Sequence, residues 1–161
     1  MNALVVFFTK YGNTKRVAEA VAAVLAGDGE ARVLAFDDVT PGDLAEADLV
    51  VAGSPTWYQA VPKDVKAILK AWPRRILRGK QVAAFDTSAE MWKPLLLMTA
   101  AHGLLATLRR LGGKAIARPA TFFIERSTEP DDPETRRDVL RKGELDRAIA
   151  WARELRNRMA A

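Results

Sequence analysis

Apolar residues follow two rhythms along this chain, short unbroken runs and helical repeats, and the two take turns. Ala3–Phe8 is a continuous apolar run bounded by polar residues. A run without in-and-out alternation predicts a strand buried on both faces, as in a parallel sheet. From Thr14 the spacing turns helical: Val17, Val21, Val24 and Leu25 share a face, and Gly27–Gly29 end it. Ala31–Phe36 reads as a second strand, Thr40–Ala47 as a turn and short helix opened by Pro41, and Asp48–Ala52 as a third strand. Pro62–Trp72 is predicted helical, with Val61, Val65, Ile68, Leu69 and Trp72 on one side and Pro73 as its stop. Gln81–Phe85 is the fourth strand and Pro94–Leu111 the next helix. Lys114–Ala117 and Ala120–Glu125 form a fifth strand interrupted around Pro119, and Gly143–Met159 is the last helix, with Leu145, Ile149, Ala152 and Leu155 inward.

Strand and helix thus alternate five times, the signature of βαβ units with helices on both faces of a parallel sheet. The 161 residues suit one domain spanning 1–161. Ser127–Arg137, rich in proline and charge, reads as a surface loop rather than a boundary, since only one helix follows it.

Composition removes whole classes of chemistry. The chain has no cysteine and one histidine, His102. Thiol nucleophiles, disulfides, cysteine-held iron–sulfur clusters and Cys/His zinc sites are excluded, and no metal site is expected. Redox work would need an organic cofactor. No side chain reads as a catalytic base or nucleophile; Asp86 reads as a turn residue and His102 as a packed or surface residue. The N-terminal apolar run is too short to span a membrane and lacks a preceding charge, so a cytoplasmic protein without a membrane span is expected.

Charge is uneven. Residues 1–60 hold four Lys or Arg against eight Asp or Glu, whereas residues 61–161 hold 21 against 12. The densest basic stretch runs from Lys63 to Lys80 with only Asp64 opposing. No aromatics interleave with these charges in a stacking pattern, so nucleic acid is not the expected partner.

The loop after the first strand, Thr9-Lys10-Tyr11-Gly12-Asn13-Thr14, has the chemistry of a phosphate cradle. Thr9 and Thr14 offer hydroxyls, Gly12 allows close backbone approach or positive φ, and Asn13 can cap the helix that follows. An ordinary capped strand-to-helix turn carries the same letters. Neither a Walker-type loop nor a dinucleotide GxGxxG is present. Strand three leads into Ser54-Pro55-Thr56-Trp57-Tyr58, where an indole or phenol could stack on a flat ring. Strand four leads into Asp86-Thr87-Ser88, followed by Trp92, which is expected to pack on the helix after Pro94.

The first of these loops resembles the [ST]-x-[ST]-G-N-T phosphate loop of flavodoxins, with Tyr11 in the second hydroxyl position. Gly-Ser-Pro-Thr at residues 53–56 and Phe-Asp-Thr at residues 85–87 resemble the flavodoxin loops that follow the third and fourth strands. The segment from Lys142 to Trp151 is similar to the family's last helix. The resemblance implies a three-layer, doubly wound α/β fold with a five-stranded parallel sheet in the order 2-1-3-4-5, and a cofactor at the switch between strands one and three. It implies FMN, held by residues 9–14, Ser54, Pro55, Thr56, Trp57, Tyr58, Asp86, Thr87 and Ser88. A single phosphate cradle with a stacking slot suits FMN better than FAD or NAD. The implied function is an electron carrier working with a redox protein or a small electron donor or acceptor. An FMN-dependent oxidoreductase, passing electrons from NAD(P)H to a quinone or oxidising protoporphyrinogen, and a flavin-free interaction module remain open. Lys10, Lys63 and Lys93 lie on or beside these loops, where typical flavodoxins are acidic. A less negative potential for the fully reduced cofactor is therefore expected.

Overall fold

The computed structural model describes residues 1–125 and 139–161. In chain order the elements are β1 (Asn2–Phe7), α1 (Asn13–Leu25), β2 (Glu30–Ala35), α2 (Pro41–Glu46), β3 (Leu49–Pro55), α3 (Lys63–Ala71), β4 (Gln81–Ala89), α4 (Ala100–Arg110), β5 (Lys114–Ala115), β6 (Ala120–Glu125), β7 (Val139–Leu140) and α5 (Glu144–Ala160). Hydrogen-bonded neighbours run β2-β1-β3-β4-β6-β7, with β5 also on β4, and every pairing is parallel except β6–β7.

The order expected for five strands holds, with the fifth position shared. β5 pairs with Gln81 and Val82, and β6 pairs with Phe85 to Ala89 along the same side of β4. Pro119 sits in the break, where its missing N–H removes a ladder bond. Alternating side chains then sort the core into two layers. Leu4, Val6, Val50, Val82 and Ala84 pack against Leu44 of α2, Val65 and Leu69 of α3, and Leu104 and Leu108 of α4. Ala3, Val5, Val51, Ala83 and Phe85 pack against Val17 and Val21 of α1 and Ala148, Ala152 and Leu155 of α5. Burial on both faces is why β1, β3 and β4 read as unbroken apolar runs.

Four expectations are corrected. The helix predicted over 94–111 is two pieces, a 3₁₀ segment at Lys93–Met98 and α4, separated at Thr99, which has extended backbone (φ −74°, ψ 166°). The cause lies elsewhere in the fold: Thr56 Oγ1 and Asp86 Oδ2 accept the Ala100 and Ala101 amides at 2.9 and 2.8 Å, so α4 begins where other elements satisfy its first donors. Trp92 does not pack on that helix; it is 75% exposed. Asp86 is not a turn residue but lies inside β4, fully buried. Asn13 does not cap α1: Gly12 occupies the cap position, and a glycine has no side chain to cap with. The short β7 was not expected. The stretch read as a surface loop, Ser127–Arg137, lies outside the described residues.

Candidate functional site

The ends of β1, β3 and β4 meet at one edge of the sheet, laced by bonds that continue the ladders beyond the strands. Phe8 N donates to Gly53 O at 3.0 Å, and Thr56 N donates to Thr87 O at 3.0 Å. Between these ends lies a cavity of about 190 Å³.

Its floor is the start of α1. Thr9 Oγ1 accepts the Gly12 amide at 2.9 Å, closing the turn, and Gly12 has φ 92°, a left-handed value that a side chain would strain. The first turn of α1 carries no acidic residue and no side-chain cap. By contrast, α2 is closed at its start by a reciprocal capping box, in which Thr40 Oγ1 accepts the Asp43 amide and Asp43 Oδ2 accepts the Thr40 amide. Thr14 Oγ1 and Thr87 Oγ1, both buried, stand 2.8 Å apart and join α1 to β4.

The opposite wall is Pro55, Thr56 and Trp57. Trp57 and Ala60 exchange backbone bonds of 3.1 and 2.9 Å, forming a tight turn with Tyr58 and Gln59 at its tip. The Trp57 indole meets Phe8 edge-on, with centroids 5.6 Å apart and planes at 83°. Lys10 Nζ lies 5.6 Å from the Trp57 ring and 5.2 Å from that of Tyr11, within cation–π range. Gly53 serves a different purpose: a Cβ there would lie 2.0 Å from the Phe85 ring, so only hydrogen lets that ring cross the strand.

Of the residues singled out in the sequence, Thr9, Lys10, Tyr11, Asn13, Thr14, Pro55, Thr56, Trp57 and Thr87 line the cavity. Gly12 shapes its floor without lining it. Ser54 and Ser88 are buried, and their hydroxyls donate to the carbonyls of Pro55 and Ala89. Tyr58 projects into solvent. Asp86 faces α4 instead. Its Oδ2 accepts from Ala101 N at 2.8 Å and from Thr56 Oγ1 at 3.1 Å, while Oδ1 has no hydrogen-bond partner. Burial pushes its carboxyl above the ordinary carboxylate value. The Thr99 and Thr121 hydroxyls and the two bonds to Oδ2 pull it back down, but neither hydroxyl reaches Oδ1 with hydrogen-bond geometry.

Sequence reasoning missed Ala89 and Ile124, which also line the cavity. The register could have supplied them, because Ala89 pairs with Ile124 two places beyond Thr87 and Phe122. A wider groove of about 840 Å³ along the open edge of β6 contains none of the candidate site residues, and its Arg147 and Arg158 are bonded to Glu144 and Glu154. His102 borders that groove, with Nδ1 3.2 Å from Thr99 Oγ1. Among the described residues, no cluster of His, Asp or Glu could hold a metal ion, and no helix is long and apolar enough to cross a membrane.

Residues 4–96, which carry every one of these loops, match the Flavodoxin domain family. The chain belongs to that family. A flavodoxin from Clostridium saccharobutylicum is 27% identical over 129 residues, covering 76% of this chain and 81% of the relative. Among solved structures, a flavodoxin from the domain Archaea superposes with a TM-score of 0.75 at 19% identity, over 100% of both chains. Flavodoxin 2 from Bacillus cereus gives 0.75 at 19% identity, over 98% of this chain and 99% of that one. The flavodiiron protein from Giardia intestinalis gives 0.73 at 19% identity over 99% of this chain, but only 36% of its own length. The flavodoxin fold therefore accounts for α4, β6 and α5 as well, beyond the residues that the family match covers.

Proposed function

We propose that this chain, as one domain over residues 1–161, binds FMN at the α1 cavity and carries electrons in the cytoplasm between redox partners. The observation that carries this reading is the pairing, in one cavity, of an α1 start without side-chain cap or carboxylate and a half-buried indole. An uncapped helix start presents amide hydrogens and a partial positive charge, the environment a phosphate dianion needs. The Thr9 and Thr14 hydroxyls add donors beside it, and Lys10 adds charge. Trp57 supplies a flat apolar face for a ring system. The enclosed part of the cavity is smaller than a typical ligand pocket of ~300–1,000 Å³, so the ring would lie toward the open mouth, against Trp57.

FMN, when bound, supplies the electron chemistry, and the protein supplies position and electrostatics. Thr56, tied to Asp86, to the α4 start and to Thr87, would hold the aromatic loop in place. Lys10 and the α1 start favour an anionic reduced cofactor, so a potential less negative than in acidic flavodoxins is expected. A redox titration at matched salt tests that point.

Calorimetry with FMN tests the binding. A stoichiometric complex is expected, with riboflavin binding at least ~100-fold more weakly because it forfeits charge-assisted bonds to the phosphate. Thr14→Val and Thr87→Val should narrow that gap. Absence of heat from folded protein overturns the reading. Turnover of NAD(P)H with a quinone would replace the carrier assignment by an enzyme.

A further inference from the structure

The basic stretch that begins at Lys63 contributes nothing to the cavity at α1, yet it lines another. Between α3 and α4, on the face of the sheet opposite α1 and α5, lies a cavity of about 310 Å³. That volume is within the range of small-ligand pockets. Buried Val61 and Leu69 form its apolar floor.

The charge of its lining has one sign. Lys66 and Lys70 stand on the α3 wall and Arg110 on the α4 wall. No Asp or Glu occurs from residue 65 to 85 or from 91 to 124. The carboxylates of adjoining elements stand elsewhere. Asp64 is at least ~120° around α3 from either lysine. Asp37 and Asp38 belong to the short turn after β2 that packs on α3. None of the three lines the cavity, and among the described residues none pairs with its cations. Lys66 and Lys70, four positions apart on one helix, repel each other. The helix dipole accounts for Lys70 and Arg110, which lie in the last turns of α3 and α4, but not for Lys66 in the middle of α3.

One of these cations is also held in place. Arg110 Nη2 donates to Thr107 Oγ1 at 3.0 Å, and Thr107 Oγ1 donates to Gly103 O at 3.0 Å. The rest of the guanidinium N–H groups are uncommitted among the described residues. Gly103 lets α4 approach the chain ahead of α3, since a Cβ there would stand 3.1 Å from Val61 Cγ2. A glycine within a helix is retained at a cost in stability.

We propose that the α3–α4 cavity binds a phosphate monoester carrying an aliphatic chain, with the phosphate on Lys66, Lys70 and Arg110 and the chain on Val61 and Leu69. Three cations without a counter-charge suit a dianion better than a single carboxylate, and the guanidinium fork matches phosphate oxygens. No aromatic residue lines the cavity, so a nucleobase or other flat ring finds no stacking face. The lysine stems extend the aliphatic floor. The proposal stands apart from the FMN reading.

The test adds octyl phosphate to ¹⁵N-labelled protein in excess FMN, which keeps a competing phosphate ester before any site at α1. Saturable shifts below ~1 mM are expected at the amides of Lys66, Leu69, Lys70, Gly103, Thr107 and Arg110. Inorganic phosphate lacks the chain and octyl glucoside lacks the charge, so each should bind at least ~10-fold more weakly. Lys66→Gln with Lys70→Gln should weaken octyl phosphate binding by ~10-fold or more. Arg74→Gln with Arg75→Gln removes the same charge from the turn after α3, outside the cavity, and should weaken it by no more than about threefold at physiological salt. Cosedimentation with phosphatidylcholine vesicles, with and without about one-fifth phosphatidic acid, separates the two sources of such a ligand. Binding that needs both phosphatidic acid and the two lysines makes this a lipid-headgroup site. Octyl phosphate binding without cosedimentation makes it a site for a soluble phosphoester. Absence of saturable shifts, shifts confined to residues 9–14, equal affinity for octyl glucoside, or as large a loss from the arginine pair overturns the proposal.

Discussion

Asp86 offers a sharp test of the physical reasoning behind the site. Replacing it with alanine strips the Ala101 amide of its acceptor in a buried place, a loss of ~1–3 kcal/mol. It also removes a side-chain carboxylate bonded to the α4 start, worth up to ~2 kcal/mol when partly buried. Against this stands the relief of burying a charged group with one oxygen unpartnered. A net loss of ~2–3 kcal/mol is expected for Asp86→Ala, a fall of roughly 4–10 °C in a chain of this size. Asp86→Asn keeps an acceptor for Ala101 and removes the charge, so it should match or exceed the native stability at pH 7.5. The pH dependence fixes the sign. Burial raises the folded-state pKa above 3.8, so the folded protein holds this proton more tightly than the unfolded chain. From 3.8 up to the raised folded value, stability therefore falls as pH rises, and above that value the full burial cost is felt. Urea unfolding followed by tryptophan fluorescence at a series of pH values reads this directly. The native protein should gain on Asp86→Asn as pH is lowered toward 3.8. If Asp86→Asn is as unstable as Asp86→Ala at neutral pH, and the gap ignores pH, then the ionised carboxylate is a favourable partner of α4 and the burial argument is wrong.

Three further outcomes follow from other parts of the fold. Gly53→Ala would drive a methyl to within 2.0 Å of the fully buried Phe85 ring, which packs with Phe122 and Trp151; a loss of ~2–3 kcal/mol is expected in thermal unfolding. Glu144→Ala would unpair the Phe123 amide, now bonded to Glu144 Oε2 at 2.7 Å, lowering stability by ~1–3 kcal/mol and speeding hydrogen exchange at that amide. Asp43 has its pKa lowered to about 2, first by the Thr40 hydroxyl and then by the Thr40 amide and Arg32, so its contribution is complete above 3.8 and is lost as pH falls through about 2. The stability difference between native protein and Asp43→Asn should accordingly close over that acid range.

Much of this was legible because buried parallel strands leave an unmistakable trace. The runs at Ala3–Phe8, Asp48–Ala52 and Gln81–Phe85 fell on β1, β3 and β4, and Pro41, Pro73 and Gly112 marked real ends or turns. Hidden from the sequence was whatever depended on two elements meeting. The periodicity of 94–111 is continuous, yet the helix restarts at Ala100 because its first acceptors come from Thr56 and Asp86, residues 44 and 15 positions away. Nothing in the sequence singles out Glu144 in the first turn of α5, yet it is buried and accepts the Phe123 amide of β6. Ala89 and Ile124 carry no distinctive chemistry and enter the cavity only through strand register.

The parity of β4 explains why an anion would be drawn to one helix rather than two. Successive residues on a strand point to opposite faces. Thr87 therefore meets Thr14 at the start of α1, while its neighbour Asp86 meets the amide of Ala101 at the start of α4. Both helices begin at the same end of the sheet, and neither is capped by its own side chains. At α4 the protein supplies its own carboxylate, and the positive end of that helix is answered from within. At α1 the nearest β4 side chain is a hydroxyl, which donates or accepts but cannot neutralise. Thr56 joins the two arrangements, bonding Asp86 through its hydroxyl and Thr87 through its amide. One pair of adjacent residues thus gives a carboxyl to the start of α4 and only a hydroxyl to the start of α1, and through Thr56 both are bonded to the loop that carries Trp57.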